Sequence, residues 1–173
     1  EFISAYLQLL QHNIPEDITV KQIVKQANAS RSTFYTYFES KKQLQEQVKQ
    51  LVQHQFMAFY SEGDQAQDGY KTTFALCQHI LKYRYFYHFV FQDAHEIQCM
   101  SEDLTTRLIE VYNDKDYAIF ASYGTIGYLK NWVEEGFAIS PTEAAEKLLK
   151  IGFTDWAYGI IKRAVNLFPN EKS

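Results

Sequence analysis

The sequence predicts an all-α fold in two parts, a three-helix N-terminal module and a larger helical C-terminal domain. Apolar residues recur at three- and four-residue spacings along most of the 173 residues. Hydroxyl residues that precede Glu or Gln by three positions mark several helix starts. The stretch 61–69 is polar and contains two glycines, so we place the boundary there, between residues 1–60 and 70–173.

The N-terminal module is divided by clear start and stop signals. Thr19 stands three residues before Gln22, and Ser40 stands three residues before Gln43, the spacing of a capping box. Between them, Asn28 tolerates the left-handed conformation that ends a helix, and Ser30 is a strong N-cap. Three helices are expected in the module itself, over residues 1–10, 20–27 and 31–38, and a fourth over 41–60 joins it to the C-terminal domain.

The C-terminal part is expected to contain helices at 70–82, 83–91, 101–113, 115–135 and 141–168. The aromatic run 83–91 has strand propensity, but no hairpin partner accompanies it, and we favour a short buried helix. Ser101 is the expected cap of the third of these helices. Gly136 is expected to end the fourth, and Ser140 with Glu143 to open the last.

Charge and composition narrow the class of protein. The net charge is −4, yet residues 1–50 hold six basic and five acidic side chains, which fits contact with phosphate at that end only. Cys77 and Cys99 have no ligand or disulfide spacing, so we expect reduced thiols in a cytoplasmic protein, with a redox pair as the alternative. No signal peptide or membrane span is expected. The sequence begins at Glu1, inside the first expected helix, so we expect the start of that helix to be missing.

Residues 20–38 form a helix, a three-residue turn and a short second helix, the arrangement of a helix-turn-helix. In the second helix Phe34 and Phe38 provide an apolar side. The other side is polar or basic with no acidic residue, and it carries Arg31, Ser32, Thr33, Tyr35, Thr36 and Tyr37. Arg can pair with guanine, and hydroxyl groups can bond to bases or phosphates, so the motif predicts binding to double-stranded DNA. An ordinary solvated surface is the alternative.

The run from Ile18 to Leu44, ITVKQIVKQANASRSTFYTYFESKKQL, resembles the signature of the TetR family of transcriptional regulators. The resemblance implies that Thr19, Tyr37 and Lys41 hold phosphates. It also implies that the remaining polar residues of the second helix, Arg31, Ser32, Thr33, Tyr35 and Thr36, face bases or nearby backbone. Asn28 stands where the family often has Gly, and both residues suit the turn. A palindromic operator is the implied DNA partner.

The stretch from Gly124 to Ala145 resembles the last two helices of many TetR-like regulators, which pair with a second subunit. The resemblance implies a homodimer. The candidate interface residues are Ala121, Gly124, Gly127, Tyr128 and Trp132. Alternatively, the glycines accommodate a neighbouring helix of the same subunit.

TetR-like regulators also bind an effector among their middle helices, either a small molecule or a protein co-regulator. The candidate lining residues here are Tyr83, Phe86, His95, Tyr112 and Tyr123. We expect no cofactor and no metal, since the histidines lack ligand spacing. The implied mechanism is repression released by the effector. The sequence has no phosphate loop or nucleophile motif, so we expect no enzyme; an all-helical ligand- or partner-binding protein that has lost DNA binding is the alternative.

Overall fold

The structure is a computed structural model and describes residues 1–60 and 69–152. In these two ranges it contains nine α-helices and no strand, which confirms the all-α class. The helices are α1 Phe2–Leu9, α2 Val20–Gln26, α3 Arg31–Tyr37, α4 Lys41–Ala58, α5 Gly69–Lys82, α6 Arg84–Val90, α7 Ala94–Tyr112, α8 Lys115–Glu134 and α9 Pro141–Gly152. The expected loop at 61–68 and the expected end of the last helix at residue 168 lie outside the described residues.

Side-chain caps open α2, α3 and α4 as the sequence predicts. The Thr19 hydroxyl accepts a hydrogen bond from the Gln22 amide at 3.3 Å, and the Thr19 amide donates to the Gln22 side chain at 2.8 Å. Ser40 accepts from the Gln43 amide at 3.2 Å. In this second cap the Gln43 side chain accepts from the amide of Glu39 and not of Ser40. Each cap satisfies a backbone donor that the first helical turn leaves without a partner.

The turn between α2 and α3 is a Schellman motif centred on Asn28. Asn28 has φ +50°, the left-handed conformation that asparagine tolerates better than most residues. The Ala29 amide donates to the Val24 carbonyl at 2.9 Å, and the Asn28 amide donates to the Lys25 carbonyl at 3.2 Å. Gly136 ends α8 in the same way, with φ +67°. The expected stops at both residues are confirmed.

One predicted helix start is wrong. Ser101 does not cap a helix; it lies in the middle of α7, where it is buried and its hydroxyl donates to the Ile97 carbonyl at 2.8 Å. The cap is Asp93, whose carboxylate accepts from the amides of His95 and Glu96 at 2.8 and 3.3 Å. The helix therefore begins about two turns earlier than expected. The aromatic run before it is helical in α6, as predicted.

The helices share a continuous apolar core. The first helical segment, residues 2–11, consists of α1 and the turn after it, and it packs with α2 and α3 through Phe2, Tyr6 and Leu10. In the C-terminal part, α7 and α8 form the most extensive helix pair. Trp132 closes the end of α8: its ring lies 4.9 Å from that of Phe137, and its indole nitrogen donates to a backbone carbonyl at 3.0 Å. Within the described ranges, no helix is long and apolar enough to cross a bilayer.

Helix α4 belongs to both parts of the molecule. Its first half packs on α1, and its second half packs against the C-terminal helices through Val52 and Phe56, both fully buried. Lys49 of α4 forms an ion pair with Glu96 of α7 at 2.7 Å, with the two side chains 30% and 22% exposed. A displacement of the C-terminal helices would therefore act directly on α4.

His79 of α5 lies buried where α4, α5 and α6 meet. Its ring nitrogen Nε2 shares a hydrogen bond with the Tyr87 hydroxyl at 2.8 Å, and its ring contacts those of Phe59 and Tyr83. The pKa of His79 is lowered to about 4, mainly by burial and in smaller part by the nearby Lys82 cation, while a hydrogen bond with the Val52 backbone opposes the shift. The imidazole is therefore neutral in the folded protein near neutral pH.

The lowered pKa of His79 predicts a loss of stability in acid. The unfolded chain binds a proton near pH 6.5 and the folded chain only near pH 4, so the free energy of unfolding decreases as the pH falls through this window. Between pH 7 and 5 we expect wild type to lose about 2 kcal/mol more than His79→Gln, which cannot titrate. Urea denaturation measures the difference. His88→Gln, at an exposed position, should follow wild type; equal losses in all three proteins would contradict the assignment.

Candidate nucleic-acid interface

Helix α3 has one buried side, built from aromatic rings. Phe34 is fully buried; its ring lies 5.3 Å from that of Phe2 in an edge-to-face contact and 5.4 Å from that of Phe38. Phe2 also lies 6.0 Å from Phe38, so the three rings form one cluster between α1 and α3. Aromatic pairs at these distances are attractive beyond the area they bury. The cluster fixes the rotation of α3 about its own axis.

All other residues of α3 are exposed, and none is acidic. Tyr35 is 56% exposed and Tyr37 is 66% exposed, which is unusual for rings of this size in the absence of a partner. The structure brings together on this surface six of the eight residues that the sequence singled out for DNA contact, namely Arg31, Ser32, Thr33, Tyr35, Thr36 and Tyr37. We call this set the α3 surface.

Hydrogen bonds order the hydroxyl groups at the start of α3. The Ser30 hydroxyl accepts from the Thr33 amide at 3.0 Å and lies 2.7 Å and 2.8 Å from the hydroxyl oxygens of Ser32 and Thr33. The Thr36 hydroxyl donates to the Ser32 carbonyl at 3.0 Å. The hydroxyls of Ser30, Ser32 and Thr33 thus form a connected cluster at the exposed N-terminal end of the helix. Both lone pairs of the Ser30 oxygen are used within it, whereas Ser32, Thr33 and Thr36 each retain a lone pair that can accept from a base.

The other two predicted DNA contacts lie beside the α3 surface and are already engaged. The Thr19 hydroxyl caps α2 and also donates to the Gln22 side chain at 2.7 Å. The Lys41 ammonium donates to the carbonyls of Pro15 and Glu16 at 3.0 and 2.9 Å. Lys41 thereby ties the start of α4 to the segment between α1 and α2. The sequence showed a lysine at a helix start but not this connection.

Helix α8 carries the second exposed surface that the sequence singled out. Gly124 and Gly127 lie on its exposed side, and a Cβ added at either would meet no described atom within 4 Å. Among the described residues, no neighbouring helix of the same subunit therefore fills the space beside the two glycines. Phe120 and Tyr123 flank them at 59% and 49% exposure. The exposure of Phe120 had no sequence signal beyond its helical spacing from Gly124 and Gly127.

The remaining predicted interface residues are less exposed. Ala121 and Tyr128 are half-buried, and the Tyr128 hydroxyl donates to the Ala144 carbonyl at 3.2 Å. Trp132 is 2% exposed and packs inside the subunit, because it fills the space at the end of α8. Its side chain is therefore not available to a partner in this conformation. The exposed face of α8 includes the two glycines and the two aromatic residues beside them.

The five candidate effector residues do not form one cavity. Tyr83 and Phe86 line a cleft of about 250 Å³ between the first helical segment and the α5–α6 junction. His95 and Tyr112 lie near opposite ends of α7, which at 1.5 Å per residue separates them by about 25 Å. Tyr123 lies on the exposed face of α8. In the described ranges no group of His, Cys, Asp and Glu residues has the arrangement of a metal site.

The two hydrogen bonds of Lys41 predict a structural role for its ammonium group. Lys41→Met keeps the apolar stem and removes both bonds, so we expect the free energy of unfolding to decrease by about 1 kcal/mol. The measurement is urea denaturation at neutral pH. The control is Lys42→Met, at the exposed neighbouring position, which should leave stability unchanged. If the two variants were equally stable, the structural role of the Lys41 ammonium would be contradicted.

Family models match both parts of the chain. The model described as bacterial regulatory proteins of the tetR family matches residues 2–48. A second model, described as a transcriptional regulator C-terminal region, matches residues 67–152. Together the two matches cover more than half of the chain. No curated protein matches it in sequence.

Solved structures share the fold. The chain is similar to the dihydroxyacetone kinase operon activator DhaS, with 16% identity, a TM-score of 0.68 and coverage of 87% of this chain and 91% of that one. It is similar to a transcriptional regulator of the TerR/AcrR family from Aquifex aeolicus VF5, with 17% identity, a TM-score of 0.65 and coverage of 88% and 100%. It is also similar to a TetR transcriptional regulator from Streptococcus agalactiae 2603V, with 22% identity, a TM-score of 0.58 and coverage of 87% and 90%. From its helix-turn-helix and the two matched regions, the chain belongs to the TetR family of bacterial transcriptional regulators.

Proposed function

We propose that the protein is a dimeric, sequence-specific DNA-binding repressor that an effector releases from a palindromic operator. The observation that carries the proposal is the α3 surface: six polar or basic residues are exposed on a helix whose other side is anchored by Phe34. A surface of this kind fits the major groove, where side chains of a second helix reach base edges. The described residues of α3 include no carboxylate that would repel phosphate.

The residues of the α3 surface divide into two roles in this proposal. Arg31, at the N-terminal end of the helix, reads guanine, and the hydroxyl cluster with Tyr35 contacts bases and nearby backbone. Tyr37 and Thr19 hold phosphates at the two margins, Thr19 after its hydroxyl exchanges the bond to the Gln22 side chain. The Lys41 ammonium has three N–H donors and uses two of them on the carbonyls of Pro15 and Glu16, so one donor is left for a phosphate.

The second subunit packs on the exposed face of α8 in this proposal. The absence of described atoms around Gly124 and Gly127 leaves room for the close approach of a helix, and the exposed Phe120 and Tyr123 supply apolar area. A two-fold dimer matches a two-fold operator, with the two recognition helices one turn of DNA apart.

Release by an effector acts through α4 in this proposal. We place the domain boundary at residues 61–69, after α4, so that α4 belongs to the N-terminal domain of residues 1–60 while its second half packs on α5 and α7 of the C-terminal part. Its ion pair to Glu96 of α7 and its contact with His79 of α5 link it to the C-terminal helices. An effector that favours a different spacing of the two subunits would lower DNA affinity by the ratio of its affinities for the two states. The chain would act in the cytoplasm, where the operator is.

The DNA proposal predicts distinct effects for two variants. Selection from a random duplex library should first enrich a palindromic site. On that site Arg31→Ala should weaken binding about tenfold or more and relax the preference at one base pair. Tyr37→Phe should weaken binding to every duplex by about fivefold, since one phosphate hydrogen bond is lost. Fluorescence anisotropy at several salt concentrations measures both.

The matched control is Tyr70→Phe, which removes the hydroxyl of a tyrosine 40% exposed on α5 and should bind DNA as wild type does. Two results would overturn the DNA proposal. One is the absence of any enriched duplex together with no salt-dependent retention of DNA. The other is equal DNA affinity in wild type and the two α3 variants.

The dimer proposal predicts that a bulky side chain at Gly124 separates the subunits without unfolding them. Leucine favours a helix over glycine by about 0.5–1 kcal/mol, and a Cβ at this position meets no described atom of its own subunit within 4 Å. Gly124→Leu should therefore sediment with the mass of one chain, 20.3 kDa, while wild type has twice that mass. Gln98→Leu, at an exposed position of α7, should remain a dimer. A dimeric Gly124→Leu variant would place the interface elsewhere.

A further inference from the structure

The cleft between the first helical segment and the α5–α6 junction has the composition of an anion site. One wall carries Ser4, Gln8 and Gln11, and the opposite wall carries Lys82 and Arg84; Leu7 and Phe86 form its apolar floor. None of the residues that line the cleft is acidic. We propose that this cleft binds a small aromatic carboxylate, and that this is the effector site of the repressor. The inference thus rests on the proposed function and deepens it.

Contacts with aromatic rings hold the two cations in place. The Arg84 guanidinium lies 4.5 Å from the centre of the Tyr85 ring and donates to the Tyr85 hydroxyl at 3.3 Å. The Lys82 ammonium lies 4.8 Å from the centre of the Tyr83 ring. In the part of the chain that the structure describes, neither cation has a carboxylate within ion-pair distance. Stacking on the rings restricts both side chains before a ligand arrives.

Size and chemistry select the class of ligand. A volume of about 250 Å³ is smaller than the pockets that take drug-sized molecules, which begin at about 300 Å³. A single ring with one carboxylate fits: the ring lies on the floor beside Phe86, and the carboxylate accepts from Arg84 in the paired geometry that guanidinium groups favour. The Gln8 side-chain oxygen accepts from the Gln26 amide nitrogen at 2.7 Å, which leaves the Gln8 amide nitrogen as a donor to the ligand.

The position of the cleft explains how its occupation reaches the DNA-binding surface. Gln8 belongs to α1, and its bond to Gln26 ties α1 to the end of α2, immediately before the turn that leads into α3. Arg84 belongs to the C-terminal helices. A ligand that bridges the two walls therefore fixes the N-terminal helices relative to the C-terminal part. Operator DNA and ligand then change each other's affinity by the same factor.

The test uses the full chain with benzoate as the probe and benzamide as its neutral analogue. Titration calorimetry should detect benzoate but not benzamide. Arg84→Gln should weaken benzoate binding about tenfold, because a charge-assisted pair is lost. Lys82→Gln should also weaken benzoate binding. The control is Lys147→Gln, at an exposed position of α9, which should bind benzoate as wild type does. All the substituted side chains are exposed, and thermal melts should coincide.

The regulatory part is tested on the operator obtained by selection. Saturating benzoate should lower the operator affinity of wild type about fivefold and leave that of Arg84→Gln unchanged. Operator binding without benzoate binding, or equal binding of benzoate and benzamide, would overturn the anion site and leave the DNA proposal intact. Arg84-dependent benzoate binding by a protein that binds no duplex would support the site and overturn its regulatory role.

Discussion

The burial of Phe34 against Phe2 and Phe38 is the contact on which the DNA-binding surface depends. Helix α3 has seven residues, and an isolated helix of that length is not stable in water. Its stability comes from the aromatic cluster on one side and the Ser30 cap at its start. Because the cluster fixes the rotation of the helix, every polar residue at the other positions faces solvent. The same three rings thus determine both the stability of α3 and the direction of the side chains that we assign to DNA.

Local signals predicted the N-terminal module well, because its helices start and stop at residues whose side chains or backbone require it. Thr19, Asn28 and Ser30 act within three residues of their own position, so their roles can be read from the chain alone. Lys41 could not be read in this way, since its partners lie 25 and 26 residues earlier. A lysine that holds a phosphate and a lysine that holds a carbonyl have the same sequence signature.

The C-terminal part was predicted less well, for two physical reasons. The start of α7 was missed because Ser101 is followed by two acidic residues and imitates a cap, whereas Asp93 carries the same signal two turns earlier with Glu96 three residues on. The second reason is tertiary packing, which decides which side of α8 is buried. Trp132 is buried in the subunit although its helix also has an exposed face. Which side of an aromatic-rich helix is buried depends on its neighbours, which periodicity alone does not identify.

Contact between the α3 surface and DNA can be followed residue by residue in the backbone amide chemical shifts of the protein on addition of its selected duplex. We expect the largest shift changes on residues 30–37 and on Thr19, with smaller changes along α4. They should appear only with the selected duplex at moderate salt, and Phe34 should keep its buried environment. If the changes were confined to other helices, or if the spectrum of α3 were unchanged in the presence of bound DNA, the α3 surface would not be the DNA-binding surface.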